Sequence, residues 1–178
     1  MSNDFTFCPS CGGKNIENKK NRKWFCPDCG FDLYNNVAAA VGCIITNSAG
    51  EVLFEMRGKE PRRGFLALPG GFVDPDESAE AAAVRECTEE LGATVERVEY
   101  LCSYPNTYLY REITYKTCDL FFTAALPANA VLHRQEKEVT QLVWKSVQNK
   151  KELDELPLAF ESARVALSKW IAKNEENK

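Results

Sequence analysis

Gly71-Phe72-Val73-Asp74-Pro75-Asp76-Glu77-Ser78-Ala79-Glu80-Ala81-Ala82-Ala83-Val84-Arg85-Glu86-Cys87-Thr88-Glu89-Glu90-Leu91-Gly92-Ala93 decides how the chain is read. Seven acids meet one base here, a net of −6 against −4 for the whole chain, so the remainder is net +2. The acidity is concentrated, not spread as a solubilising coat. Ser78 is a good N-cap and Gly92 a good C′ residue, which predicts a helix over Ala79–Leu91. At about 100° per residue, Val84, Cys87 and Leu91 form one apolar stripe. Glu86, Glu89 and Glu90 fall at i, i+3 and i+4 on another side. Like charges at that spacing destabilise a bare helix. Glu89 and Glu90 also sit near the negative end of the helix dipole, the wrong end for acids. Carboxylates placed against both rules point to a cation between them. Hard oxygen ligands select Mg²⁺, Mn²⁺ or Ca²⁺ over zinc. Ala79, Ala82 and Ala83 lie beside that face and would let backbone or substrate approach.

The spacing is Gly71, five residues, Glu77, seven residues, Arg85-Glu86, then Cys87, Thr88, Glu89-Glu90, one residue, Gly92. This resembles the signature of the Nudix superfamily, with every charged and glycine position filled. Cys87 and Ala93 stand where a large aliphatic residue is usual. The resemblance implies an α/β fold, a mixed sheet sandwiched between helices, with the signature forming a loop–helix–loop. It implies Mg²⁺ or Mn²⁺ held by Glu86, Glu89 and Glu90, often joined by the carbonyl of Gly70. Glu86 would act as, or orient, the base for the attacking water. Glu77 would pair with Arg85 and stiffen the loop. The activity implied is hydrolysis of a nucleoside diphosphate linked to another moiety. Arg57, Lys59, Arg62 and Arg63 are candidates for binding phosphate. A further carboxylate ligand is expected from elsewhere, Glu138 before Glu136.

Eight cysteines are unevenly placed. Cys8-Pro-Ser-Cys11-Gly and Cys26-Pro-Asp-Cys29-Gly bring two close pairs into the first 29 residues. Two intervening residues let both sulfurs of a pair reach one tetrahedral ion. Gly12 and Gly30 follow where the chain must turn with positive φ. The pattern resembles a zinc ribbon holding structural Zn²⁺. Cys43, Cys87, Cys102 and Cys118 read as buried small hydrophobes. Lys19, Lys20, Arg22 and Lys23 make a basic tip between the knuckles, but residues 1–36 net only +1. That reads as a solvated hairpin tip, so nucleic acid is possible as a partner but not favoured.

A zinc ribbon ahead of a Nudix domain is similar to the NADH pyrophosphatase group, which cuts NAD(H) into nicotinamide mononucleotide and AMP. That group carries Ser-Gln-Pro-Trp-Pro-Phe-Pro after the signature. Here the comparable stretch is Ser103-Tyr104-Pro105-Asn106-Thr107-Tyr108, matching only at Ser103 and Pro105. NADH, ADP-ribose and related dinucleotides all stay open. Tyr104, Tyr108, Tyr110 and Tyr115 could stack on a base or nicotinamide ring.

The 178 residues suit one domain with a small appendage: a ribbon over 1–34 and a Nudix domain over 35–178, joined by a linker near Asp32–Asn36. Strands are predicted at Val37–Thr46, Glu51–Arg57, Val95–Ser103, Tyr115–Ala125 and Val139–Trp144. Val52, Phe54 and Met56 share one side of the second. A tail helix is predicted over Pro157–Lys173. At 44% hydrophobic and 27% charged, the composition is that of a globular protein, and the charge disfavours a general nucleic-acid binder. Neither a signal peptide nor a membrane-spanning run is visible, so a cytoplasmic location is expected. The expected function is Mg²⁺-dependent hydrolysis of a pyrophosphate bond in a small nucleotide substrate. Two alternatives are a ribbon-bearing nucleotide or RNA binding module without turnover, and an RNA cap hydrolase. A homodimer is expected from relatives.

Overall fold

The structure is a computed structural model that describes residues 4–176. The chain forms two compact units. One takes in residues up to Val37 together with Leu109–Tyr115. The other takes in Ala38–Tyr108 and Lys116 onward.

The first unit is built on three short antiparallel strands, β1 (Glu17–Lys19), β2 (Lys23–Phe25) and β3 (Asp32–Tyr34), in that order. Lys20 and Asn21 both take positive φ in the three-residue loop between β1 and β2, where Arg22 N donates to Lys19 O at 3.1 Å. Trp24 is buried, with the Phe5 ring edge-on to it at 5.2 Å. Asp32–Tyr34, expected to begin a linker, is instead the third strand, pairing Trp24 with Leu33.

In the second unit, β4 (Ala38–Ile45) pairs in parallel with β8 (Ile113–Ala125), which is flanked by β7 (Glu96–Tyr110). A second sheet has the order β6 (Leu66–Ala67), β5 (Val52–Arg57), β9 (Val139–Lys145). A bridge between Thr46 and Val52 links β4 to β5. Helices α1 (Ala79–Leu91), α2 (Lys150–Glu155) and α3 (Glu161–Glu176) complete it.

The strands are apolar on both faces because both faces are covered. Ile44, Phe54 and Phe121 pack with Ala166 and Leu167 of α3. Cys43, Leu53 and Phe122 pack with Ala83, Cys87 and Leu91 of α1. Mixed strands therefore lie between α1 on one side and α2 with α3 on the other. Cys43, Cys87 and Cys102 are buried, as expected of small hydrophobes, and Cys118 is half-buried. No helix among the described residues is long and apolar enough to cross a membrane.

Further elements differ from the sequence reading, and β7 runs on to Tyr110, past the expected end at Ser103. The tail helix begins at Glu161, not Pro157. Residues 157–159 are held extended by β6: Leu66 N donates to Pro157 O (2.9 Å) and Ala159 N to Leu66 O (2.8 Å). The short helix α2 was not anticipated. Asn149 caps it, its Oδ1 accepting from Glu152 N at 3.0 Å.

Candidate active site

Helix α1 has the limits its caps predict. Ser78 Oγ accepts from Ala81 N (3.1 Å), and Gly92 closes the far end at φ +66°, donating to Thr88 O. Cys87 and Leu91 are fully buried, and so are Ala82 and Ala83. The small residues serve the core: they let β4 come close, with Cys43 Sγ 3.9 Å from Ala83 O. Substrate does not approach through them.

The loop before the helix lies along β4. Val41 N donates to Gly71 O, Cys43 N to Pro69 O and Val73 N to Ala39 O. The approach demands glycine. Gly70 has φ +146°, and a Cβ there would lie 2.1 Å from Val41 O. At Gly71 a Cβ would lie 2.5 Å from Glu86 Oε1, so the missing side chain makes room for a carboxylate. Gly70 N donates to Glu90 Oε2 at 2.8 Å.

Arg85 ties loop to helix. Its Nε and Nη2 each donate to Glu77 at 2.9 Å, a two-pronged pair, and Nη2 also reaches Phe72 O at 3.0 Å. Nη1 donates to Glu86 Oε1 at 2.8 Å. The Arg85 guanidinium holds the Glu77 carboxyl below its ordinary value.

One cavity of about 340 Å³ opens above these elements. Its lining includes Glu86, Glu89, Glu90 and Glu138 together with Gly70. Glu138 is ion-paired with Lys59, and both line the cavity. Glu136 does not line it and is highly exposed beside Arg134. Arg57 lines the cavity too. Its Nε donates to Pro61 O, its guanidinium lies 5.2 Å from the Phe160 ring centre, and its buried Nη2 has no hydrogen-bond partner. Phe72, Tyr108 and Phe160 also line the cavity. Phe72 and Tyr108 meet edge-on at 5.6 Å, and Tyr108 and Phe160 are 5.7 Å apart.

Burial shapes the carboxylates. Glu90 is only 8% exposed, and burial followed by the charge of Glu55 pushes its carboxyl well up. Burial also raises Glu86, against the pull of Arg85. Glu89, by contrast, is exposed. The site residue that sequence reading missed is Glu55 on β5. It is 4% exposed, does not line the cavity, and touches Glu90. Burial pushes its carboxyl up to about 8, against a hydrogen bond from Glu90 and the charge of Arg57. A signal was available. Leu53, Glu55 and Arg57 alternate on β5 opposite Val52, Phe54 and Met56, and a strand apolar on both faces must bury what lies between.

Not every candidate residue arrives at the cavity. Arg62 and Arg63 are exposed on the loop after β5 and do not line it, with Arg62 lying over the Phe65 ring at 5.6 Å. Tyr104 is exposed outside it, whereas Tyr108 lines it. Tyr110 falls in the first unit, stacked with Arg111.

In the first unit the two cysteine pairs form matching knuckles: Gly12 N donates to Cys8 O and Gly30 N to Cys26 O, both at 2.9 Å. The Sγ atoms of Cys8 and Cys29 are 3.7 Å apart, and those of Cys11 and Cys26 are 3.8 Å apart. Four thiolates about 2.3 Å from one tetrahedral ion would stand roughly 3.8 Å from each other. Among the described residues, these cysteines are the only group of three or more potential metal-ligating side chains with donor atoms all within 4.8 Å. The glutamates line one cavity without converging so closely: Arg85 Nη1 lies 2.8 Å from Glu86 and 3.6 Å from Glu89, Gly70 N donates to Glu90, and Lys59 pairs with Glu138. Their hard oxygens suit a Mg²⁺-like ion.

Comparison with known proteins fits this arrangement. The model of the NUDIX domain matches residues 37–166. The chain belongs to the NUDIX domain family. It is 31% identical over 169 residues to the NAD-capped RNA hydrolase NudC of Deinococcus radiodurans, covering 93% of this chain and 56% of that protein. It is 32% identical over 116 residues to the NAD-capped RNA hydrolase of Schizosaccharomyces pombe, covering 57% of this chain and 31% of that one. The chain thus spans about half the length, or less, of these curated relatives. Among solved structures, a NUDIX hydrolase from Nitrosomonas europaea superposes with a TM-score of 0.72 at 25% identity, over 97% of this chain and 93% of that one. Within the NUDIX domain, Glu77, Arg85, Glu86, Glu89 and Glu90 sit on the loop–helix–loop that the signature describes.

Proposed function

We propose that the chain hydrolyses the pyrophosphate bond of a dinucleotide related to NAD(H) or ADP-ribose. The observation that carries this is the cavity, whose lining joins Glu86, Glu89, Glu90 and Glu138 with Phe72, Tyr108 and Phe160. A diphosphate that carries an aromatic ring needs both. The relatives named above act, by their names, on NAD-capped RNA, which contains the same bond.

Glu86, Glu89, Glu90, Glu138 and the Gly70 carbonyl are the groups that would hold Mg²⁺ or Mn²⁺. When bound, such an ion neutralises phosphate charge and acidifies a water. The chain's own groups do the rest. Arg57, with its buried free nitrogen, and Lys59 offer positive charge to the phosphates. Glu86, steadied by Arg85, accepts a proton from the attacking water. The water oxygen bonds to one phosphorus, the bridging P–O bond breaks, and two phosphomonoesters leave. Tyr108 and Phe160 offer ring faces to the base or nicotinamide. Cys8, Cys11, Cys26 and Cys29 would hold Zn²⁺ as a structural ion.

The test is a panel of NADH, NAD⁺, ADP-ribose, FAD, diadenosine polyphosphates and nucleoside triphosphates, with Mg²⁺ or Mn²⁺, scored by released AMP or phosphate. Preferential cleavage of NAD(H) or ADP-ribose is expected. Absence of turnover on every substrate with both metals overturns the proposal.

A further inference from the structure

Asp119 on β8 is a buried carboxylate that the proposed chemistry does not use. It is 8% exposed and lines the same cavity, on the side of Tyr108 and Phe160. Three donors converge on it. Thr117 Oγ1 donates to Oδ1 at 2.6 Å, while Asn106 Nδ2 and Ser162 Oγ donate to Oδ2 at 2.9 and 2.7 Å. Thr117 and Ser162 are themselves buried and line the cavity, as does Asn106. Around them lie Ala40, Phe121 and Ala163, which are apolar. A buried charge costs free energy even when hydrogen-bonded, and an aliphatic side chain would suit these neighbours at lower cost. The carboxylate therefore calls for a reason beyond packing.

The hydrogen-bond inventory supplies one. Each hydroxyl has a single proton, and those of Thr117 and Ser162 are committed to Asp119. Their remaining lone pairs are acceptors. The Asn106 carbonyl oxygen is taken by Thr107 N at 2.7 Å. Oδ2 of Asp119 has two donors, whereas Oδ1 has one and keeps a free lone pair. This patch has acceptors to offer and few donors. A ligand edge of the opposite kind satisfies it.

Resting on the function proposed above, we infer that Asp119, fixed by Asn106, Thr117 and Ser162, is a specificity-determining residue for an aromatic ring bearing an amino group. The ring stacks beside Tyr108 and Phe160, and its –NH₂ donates to the Asp119 side of the cavity. Two sources carry that chemistry in such dinucleotides, the exocyclic amine of adenine and the carboxamide of nicotinamide. Replacing the amine by a keto oxygen, or the carboxamide by a carboxylate, sets acceptor against acceptor. Leaving a buried charged acceptor without its donor lowers binding by about 10–100-fold.

The experiment compares matched pairs on the full chain: ADP-ribose with its hypoxanthine counterpart, and NAD⁺ with nicotinic acid adenine dinucleotide, by kcat/KM. Equilibrium binding of AMP against IMP, and of nicotinamide mononucleotide against the nicotinate mononucleotide, is read alongside without need of turnover. At least tenfold preference for the amino-bearing member of one pair is expected, and that pair identifies the ring. In Asp119→Asn, whose amide can donate, the preference should fall towards one. Equal use and equal binding of both members of both pairs would make Asp119 a staple between β7, β8 and α3, and overturn the inference. So would a folded Asp119→Asn that keeps the wild-type preference. The wild-type ratios decide the matter even where the variant fails to fold. Preferential binding without any hydrolysis would overturn the proposed function while upholding the ring site.

Discussion

At the residue scale, Glu90 carries conflicting demands. It is buried beside Glu55, held by Gly70 N, and raised well above its ordinary value. Glu90→Gln keeps the hydrogen bond from Gly70 and removes the charge. Turnover is expected to drop by about 10²–10⁴-fold, while the thermal midpoint holds or rises because a buried like-charge pair is relieved. A near-normal rate in initial-velocity assays would remove Glu90 from the site. Gly70→Ala tests the close approach to β4. Its Cβ would fall 2.1 Å from Val41 O, so something in the backbone must move. A loss of about 2–4 kcal/mol in denaturant unfolding is expected. What was legible in the sequence divides along this line. Glu86, Glu89, Glu90 and Gly70 belong to one local pattern, where spacing speaks for geometry. Glu55 and Asp119 do not. Their burial depends on which strands are covered on both faces, and that is set by other elements: Glu90 on α1 lies 35 positions from Glu55, and Ser162 on α3 lies 43 positions from Asp119.

At the scale of elements, α1 shows local chemistry setting limits that tertiary packing then respects. Ser78→Ala should cost about 1 kcal/mol by loss of the cap. The tail helix shows the reverse. Its apolar spacing extends back to Pro157, but the pairing with Leu66 holds that stretch extended. No local signal announces such a bond. Helix α2 offers a pH test. Glu152 accepts from Gln148 N (2.9 Å), Ser146 Oγ (2.7 Å) and Asn149 Nδ2 (2.8 Å), and these bonds hold its carboxyl below the ordinary value. A carboxylate with a depressed folded value gives stability that is full above its unfolded value and is lost as pH falls through the folded one. Glu152→Gln should therefore melt below wild type at pH 7. The gap should close on acidification below the ordinary carboxylate range. A gap unchanged at pH 3 in paired thermal melts would contradict this.

At the scale of the whole molecule, the fold class was readable because the signature is long and its charge is concentrated. The close set of four cysteines was readable because two knuckles repeat one motif, whereas the place of Leu109–Tyr115 in the first unit was not. The order of strands was not, since the parallel pairing of β4 with β8 joins segments that no local pattern connects. For the first unit, Cys26→Ser should lower bound zinc in elemental analysis and expose residues 4–37 to proteolysis. Zinc content equal to wild type would refute the cysteine site.

That parallel pairing has a consequence for how the molecule is made. Ala38 meets Thr117 and Ile45 meets Ala124, so β4 waits for β8 through some eighty residues of synthesis. The strands β1–β3 need nothing beyond Tyr34 to pair. Contacts between distant segments slow folding, and chains emerge at roughly 5–20 residues per second. A nascent chain halted before β8 would carry β4 and β5 with their apolar faces uncovered for several seconds. The amino-terminal strands can form on the ribosome well before then, and the cavity can form only after the last helix has left it.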